Sequence, residues 1–230
     1  WDMNTYKTAD LSGAEWISTG GACCTPMIRK TLSFPKVTSA KITIAGLGIF
    51  EIFINGKKVS DDLFLPLSTD FHERPEKLYR GVPYDEKMRH RLYCPVYDIT
   101  SYLKEGENTI AFLMGPGWYE MPNECYEYGH IKLCYVIDWQ DEKGETHRTG
   151  SDGSHKWKES YVKKANLLKG EVHDYRDYDE TWMQTPYDDS DWAAVCLEKA
   201  PETHFYIQDC PADRVIRHIT PRILEKKGDV

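Results

Sequence analysis

Apolar and polar residues alternate most clearly between positions 49 and 54. Phe50, Ile52 and Ile54 recur at every second position, so they share one face of an extended chain. The segment is dense in β-branched and aromatic residues, which fit a pleated strand. Because Glu51 interrupts the other face, the pattern predicts a strand buried mainly on one side and covered there by a second layer.

Asn55-Gly56 follows this strand and predicts a two-residue turn of type I′, since both residues tolerate the positive φ that this turn requires. Lys57–Val59 then begins the return strand of a hairpin. Upstream, Gly46 and Gly48 predict a bulge or a close approach of two backbones.

The remaining pattern predicts many short strands with turns about every 8 to 12 residues, which is typical of a β-sandwich or barrel. The further predicted strands lie at 14–17 (an edge strand or anchor), 28–34, 41–45, 95–99, 109–114, 131–139 and 157–160. No sustained helical period occurs, and Thr100 is expected to cap a single turn over Ser101–Leu103. The polar segment 71–93 is interpreted as an excursion from the sheets, with a hairpin insertion as one form of it.

Composition narrows the function classes. The chain has 230 residues, of which 40% are apolar and 13% aromatic, so it can bury a core. The aromatic surplus suits an all-β protein and a sugar-stacking protein equally. The net charge of −8 argues against nucleic acid as a partner, because phosphate binding needs a basic surface. No apolar run approaches the roughly 20 residues of a membrane span, so no membrane partner is expected.

The seven cysteines include no C-x-x-C pair, which argues against a zinc ribbon or a thioredoxin-type site. Their odd number and scattered spacing favour free thiols over a disulfide framework. Cys125 with Cys134 is the one pairing left open.

Other motifs of known chemistry are incomplete. The acidic run Asp188–Trp192 lacks the spacing of an EF-hand loop, so we interpret it as an Asx turn that places Trp192 in the core. His72-Glu73 has no second histidine at the zinc-protease spacing, and G-x-S-x-G is absent. No spacing identifies a pair of catalytic carboxylates, so we assign no catalytic residue.

Five stretches in order resemble the N-terminal β-sandwich region of bacterial α-L-rhamnosidases, which are glycoside hydrolases. The resemblance extends over roughly residues 14–221. The stretches are Phe50–Gly56 with Pro66, Tyr97–Thr100 with Leu103 and Gly106–Asn108, Gly115–Tyr119, Gly170–Arg176, and Trp182.

The resemblance implies an all-β, jelly-roll (galactose-binding-like) sandwich with loop insertions and few short helices. In that family the sandwich precedes an (α/α) barrel that hydrolyses the substrate with inversion. We therefore expect one sandwich domain over 1–220 and a linker over 221–230 toward a catalytic domain. The expected partners are the catalytic (α/α) barrel of the same parent chain and a rhamnose-containing glycan.

The Gly115–Tyr119 loop is the first candidate site that the resemblance implies. Trp118 and Tyr119 are carbohydrate-binding candidates, since an aromatic ring can lie against the apolar face of a pyranose. The alternative is a tight strand exit with Trp118 in the core. Pro116 stands where related domains carry Asn or Asp, and it supplies no polar side chain and no N–H.

The acidic and aromatic stretch from residue 171 to 182 is the second candidate site. The resemblance makes Glu171, Asp174, Arg176 and Trp182 carbohydrate-binding candidates, and Asp174 matches a calcium ligand of some relatives, which makes Ca²⁺ the expected cofactor. The alternative is a structural ion pair between Asp174 and Arg176, which share a face if the segment is a strand.

Four hypotheses for the function follow, and the one ranked last is an enzyme in its own right. The first is a non-catalytic module that packs on the catalytic barrel and holds a rhamnose-containing glycan. The second is a calcium-dependent L-rhamnose-binding module. The third is a purely structural domain without a ligand.

Overall fold

The computed structural model describes residues 7–71, 78–79, 82–83, 90–120 and 128–221. Nearly all regular structure in them is β. The strands are β1 (Trp16–Ser18), β2 (Pro26–Phe34), β3 (Val37–Leu47), β4 (Ile49–Ile54), β5 (Lys57–Lys58), β6 (Leu78–Tyr79), β7 (Val82–Pro83), β8 (Arg91–Cys94), β9 (Val96–Asp98), β10 (Gly106–Gly115), β11 (Lys132–Asp141), β12 (Thr146–Gly150), β13 (Lys156–Glu159), β14 (Val162–Asn166), β15 (Gly170–His173), β16 (Ala193–Ala194), β17 (Cys196–Glu198) and β18 (His204–Ile207).

Two six-stranded sheets form a sandwich. Sheet I has the order β17-β1-β11-β3-β9, with β12 also paired to β11, and sheet II has the order β16-β13-β2-β10-β4-β5. The hairpin β14–β15, the parallel pair β8–β18 and the short hairpin β6–β7 stand outside these sheets. Apart from single 3₁₀ turns such as Thr100–Tyr102, the described residues hold no helical element. The predicted all-β sandwich is therefore confirmed.

The core lies between the two sheets and follows the period-two pattern. In β4, the alternating Phe50, Ile52 and Ile54 are buried and belong to the main apolar cluster, as predicted. β10 and β11 add Phe112 and Tyr135, whose rings are in contact at 5.3 Å between centroids. In the described part of the chain, no helix has the length and apolar character needed to cross a bilayer.

The β4–β5 hairpin has the predicted turn, with φ of 52° at Asn55 and 78° at Gly56. Gly48 confirms the predicted close approach, because a Cβ there would lie 2.6 Å from Ile131 Cγ2 and 2.7 Å from the carbonyl oxygen of Gly115.

The segment 182–192 covers part of the outer face of sheet II. Trp182 and Trp192 are buried against Met27 and Ala111, and the predicted Asx turn is present, with the Ser190 N–H donating to Asp188. The buried side chain of Arg29 holds this segment in place by its guanidinium group. The acceptors are the carbonyl oxygens of Trp182 (2.9 Å) and Gln184 (3.1 Å) and the carboxylate of Asp189.

Two local predictions were wrong. The edge-strand alternative for residues 14–17 was wrong, since β1 pairs with β11 on one side and β17 on the other, whereas the buried Trp16 agrees with the anchor alternative. Thr100 is not a helix cap, because its hydroxyl instead accepts the N–H of Ala40, and the turn begins after Ile99 with no side-chain cap. The pairing of Cys125 with Cys134, which the sequence analysis left open, is not supported, because Cys134 is a free buried thiol.

Some predictions fall outside the described residues. Cys125 lies there, as do most of the excursion over 71–93 and nearly all of the linker over 221–230. The proposed domain boundaries stay predictions.

Candidate functional site

An open groove of about 240 Å³ lies at the end of sheet II, beside the β14–β15 hairpin. We call it the hairpin groove. Outward-facing residues of two paired strands line it, with Glu51 opposite Leu113 and Ile49 opposite Gly115. A Cβ at Gly115 would lie 3.3 Å from Ile49 Cγ1, so glycine keeps this end of the groove open.

The opposite wall of the hairpin groove includes Tyr161, Glu171 and His173. Hydrogen bonds fix this wall to the sandwich, since the Thr25 hydroxyl donates to the carbonyl of Val162 (2.6 Å) and Ser160 N–H donates to the carbonyl of Thr25 (3.2 Å). The two motif stretches that carried the resemblance therefore meet in space: Gly115 lies on one side of the groove and Glu171 on the other.

Four aromatic side chains extend from this wall toward solvent, and we call them the tyrosine cluster. They are Tyr161, His173, Tyr175 and Tyr178. Tyr161 touches His173, Tyr175 and Tyr178, with ring centroids 5.3, 5.7 and 4.9 Å apart. Tyr175 is 68% exposed and Tyr178 is 45% exposed. Burial raises the pKa of Tyr161, and the nearby Tyr175, Glu51 and Glu171 raise it further.

Asp174 and Arg176 form the ion pair that was the alternative to a calcium site. The Arg176 guanidinium donates through Nε to Oδ1 of Asp174 (2.8 Å) and through Nη2 to Oδ2, and the Arg176 N–H also donates to Oδ1. These hydrogen bonds from Arg176 lower the pKa of Asp174 to about 2. The segment here is a 3₁₀ turn over Tyr175–Asp177, not a strand.

The described carboxylates near Asp174 do not fit a calcium ion as they stand. Calcium takes six to eight oxygen ligands. Asp174 is occupied by Arg176, the Glu171 carboxylate accepts from His173 (2.8 Å), and Asp177 pairs with Lys163 (2.8 Å). Three potential metal ligands come together elsewhere among the described residues, on the β11–β12 turn; they are Asp141, Glu145 and His147.

The remaining predicted site residues are dispersed. Trp118 is 43% exposed, so the interpretation that placed it in the core is wrong. Tyr119 is buried and packs edge-on against Phe71, and Trp182 is buried against Trp192. Neither Tyr119 nor Trp182 presents a ring face to solvent. Carbohydrate binding by the predicted residues stays a prediction.

A serine and a glutamate of sheet I converge with a histidine that lies just before β11, but not as a catalytic triad. Ser18 Oγ and His130 Nε2 both bond to the same oxygen of Glu198, each at 2.8 Å. Burial acts to raise the pKa of Glu198, but the hydrogen bonds from His130 and Ser18 outweigh it and lower the pKa to about 2. A triad needs the histidine between the other two groups, so that it can take the serine proton.

Comparison with known proteins identifies the family. The model of the alpha-L-rhamnosidase N-terminal domain matches residues 35–80 and 82–217, which is most of the chain. The chain belongs to the alpha-L-rhamnosidase N-terminal domain family. The predicted resemblance is therefore confirmed.

Relatives of this rhamnosidase domain are much longer. An α-L-rhamnosidase of Formosa agariphila is 28% identical over 206 residues, which cover 84% of this chain and 20% of the relative. The structure of α-L-rhamnosidase from Dictyoglumus thermophilum matches 89% of this chain and 23% of its own, with 25% identity and a TM-score of 0.75. The structure of the Streptomyces avermitilis enzyme complexed with L-rhamnose matches 80% of this chain and 17% of its own, with 25% identity and a TM-score of 0.67. This domain thus spans about a fifth of the length of its relatives.

Sequence reasoning missed most of the tyrosine cluster and the groove wall. Tyr161 received no role because it lies outside the matching motifs. In the structure, the pairing of Val162 with His173 brings Tyr161 beside the acidic and aromatic stretch. A register shift between Val162 and Lys164 breaks the simple alternation that would have shown this pairing.

Proposed function

We propose that this chain serves as the non-catalytic N-terminal module of an α-L-rhamnosidase-type glycoside hydrolase, packs on the catalytic barrel and holds a rhamnose-containing glycan. One observation carries the proposal: the family match extends over most of this chain, while the chain spans about a fifth of its relatives. The similar α-L-rhamnosidase of Streptomyces avermitilis forms a crystalline complex with L-rhamnose, which supports the choice of sugar.

The electrostatics of the described residues support a non-catalytic role. A glycoside hydrolase uses a general acid whose pKa is raised, together with a second carboxylate. Every described carboxyl group with a clear pKa shift has a lowered pKa, as in Asp152, Asp174 and Glu198. The carboxylates of the hairpin groove are also engaged, with Glu51 paired to Lys58 and Asp62 paired to Arg214.

A purely structural domain is the second candidate, and one observation favours it. The C-terminal part of the described chain exposes the apolar side chains of Val215 (57%), Ile216 (98%) and Ile219 (76%). Exposed apolar surface of this kind commonly marks a protein contact. A calcium-dependent rhamnose module is a third candidate, although the carboxylates around Asp174 are already paired with cationic side chains.

Two measurements on the 230-residue chain test the proposal. Calorimetric titration with L-rhamnose, with calcium and then with a chelator, should show saturable binding. Incubation of the chain at high concentration with an aryl α-L-rhamnoside should release no rhamnose. Turnover would refute the non-catalytic assignment, flat titrations would favour the structural domain, and binding lost in chelator would favour the calcium-dependent module.

A further inference from the structure

The β11–β12 hairpin of sheet I brings three metal-ligating side chains onto one face. Trp139 lies opposite His147 in the ladder, and the N–H of Asp141 donates to the carbonyl oxygen of Glu145 (3.1 Å). Side chains alternate along each strand and cross-strand partners share a face, so Asp141, Glu145 and His147 lie on the same face as Trp139. Because Trp139 packs against the main apolar cluster, these three residues continue the core-facing side of sheet I toward solvent.

Two of the three side chains are held in place by contacts that need no ion. Oδ1 of Asp141 accepts the N–H groups of Lys143 (2.8 Å) and Glu145 (3.0 Å), which leaves Oδ2 to face the imidazole. The ring of His147 stacks on Trp139, with centroids 4.2 Å apart and planes at 22°. Contacts that fix the orientation of a ligand in this way strengthen metal binding.

The separation of the ligand atoms fits one tetrahedral ion. Oδ2 of Asp141 lies 3.3 Å from Nε2 of His147, beyond the usual range of about 2.7 to 3.2 Å for an N–H···O hydrogen bond. Two ligands at about 2.0 to 2.2 Å from a tetrahedral zinc ion stand about 3.3 to 3.5 Å apart. The ligand atoms of Asp141, Glu145 and His147 all lie within 4.8 Å of one another, and Glu145 is exposed, so rotation of its side chain brings it to the same ion.

The donor set selects among metal ions. One imidazole nitrogen and two carboxylate oxygens suit Zn²⁺ and similar first-row ions, whereas Ca²⁺ takes six to eight oxygen ligands. The neighbouring Glu142 is engaged elsewhere, because its carboxylate pairs with Lys36 (2.5 Å). Three protein ligands leave the fourth position of a tetrahedral ion to water, as at zinc sites that stay open.

We propose that Asp141, Glu145 and His147 form a binding site for a divalent first-row transition ion, with Zn²⁺ as the best fit. His147 binds through Nε2 in its Nδ1–H tautomer, and the ion replaces the long contact between this atom and Asp141. The bound ion joins the end of β11 to the start of β12 and stabilises this end of sheet I. The site is independent of the proposed function, because the hairpin groove lies at the end of sheet II.

The test is calorimetric titration of the 230-residue chain with Zn²⁺ at pH 7 in a non-chelating buffer. Free thiols such as Cys196 also bind zinc, so the readout is the difference between variants. The wild type should bind one Zn²⁺ more than His147→Gln, and Asp141→Asn and Glu145→Gln should each weaken that site by about tenfold or more. Zn²⁺ should also raise the Tm of the wild type more than that of His147→Gln, and excess Ca²⁺ should not compete.

Two variants are matched controls. Glu142→Gln removes the same charge from the same turn without removing a ligand, and His218→Gln removes an exposed histidine from another part of the chain. Both should bind Zn²⁺ like the wild type, and circular dichroism verifies the fold of every variant.

Three outcomes would overturn the proposal. The wild type and His147→Gln could bind zinc with equal stoichiometry and affinity, which would place the ion at other groups such as the thiols. The wild type could bind no zinc at all. Finally, Glu142→Gln could weaken binding as much as Glu145→Gln does, which would indicate attraction by the charge of the turn and not ligation. None of these outcomes affects the glycan-holding role.

Discussion

The buried pair of Tyr135 and His155 should make the stability of this domain depend on pH. His155 is fully buried, and both of its ring nitrogens have partners in the neutral form. Tyr135 Oη lies 2.9 Å from Nε2, and Nδ1 lies 2.8 Å from the carbonyl oxygen of Asp152. Burial lowers the pKa of His155 to about 4, because the charged ring would lose its hydration, and the positive charge of Lys30 acts in the same direction.

The magnitude follows from linkage. An unfolded histidine titrates near pH 6.5, so between about pH 6.5 and 4 the unfolded chain binds a proton that the folded chain excludes. The contribution of His155 is therefore complete above that range and is lost as the pH falls through it. At pH 5 the unfolded ring is almost fully protonated and the folded ring is not, which lowers the free energy of unfolding by about 2 kcal/mol relative to pH 7.

Urea unfolding followed by tryptophan fluorescence at pH 7 and pH 5, at constant ionic strength, measures this difference. His155→Gln removes the titrating group, so its loss of stability between the two pH values should be about 2 kcal/mol smaller than that of the wild type. His218→Gln is the control, because His218 is exposed and its replacement should leave the pH dependence unchanged. Equal pH dependence in the His155 variant and the wild type would refute the reasoning. An NMR titration of the histidine rings gives an independent check, with one ring expected to titrate near pH 4.

Three further substitutions, two of them with a matched control, test the packing by urea unfolding at pH 7. Arg29→Met should cost about 3 to 5 kcal/mol because it leaves buried acceptors unpaired, whereas Arg176→Met at an 88% exposed side chain should cost less than about 0.5 kcal/mol. Gly48→Ala should cost about 2 to 4 kcal/mol, since φ is 111° and the Cβ would overlap the neighbouring strand; Gly170→Ala, with φ of 86° and open space, should cost only about 1 kcal/mol. Asn108→Ala should cost about 2 to 3 kcal/mol, because this fully buried amide makes four hydrogen bonds, and a cost below about 1 kcal/mol would contradict that account.

Local rules were sufficient to predict the central part of the fold. The period-two pattern of β4, the Asn55-Gly56 turn and the tight contact at Gly48 all depend on residues close in sequence, and each was predicted correctly. The interior position of β1 could not be predicted in this way. Its partner β17 lies about 180 residues away, and the hydrogen bond from Ser18 to Glu198 has no signature in either segment alone.

The candidate site was predicted only where a motif carried it. Glu171 and the Asp174–Arg176 pair lie in a matching stretch, and the ion pair was one of two stated alternatives. The burial of Trp182 was not predicted, because it depends on Arg29, which holds the carbonyl oxygen of Trp182 from another strand. A tryptophan motif does not reveal whether the ring is a ligand platform or part of the core.

The alternation of β4 and β10 explains why the groove lies where it does. Outward-facing residues pair in register along the two strands, and the pair Phe53–Ala111 lies beneath Trp182. One step further, Glu51 pairs with Leu113, which still packs against the cluster of Trp182 and also lines the hairpin groove. The same sheet face therefore changes from a covered surface to an open groove over a few residues. Because Arg29 holds the covering segment, loss of that residue should expose apolar surface beside the groove as well as destabilise the fold.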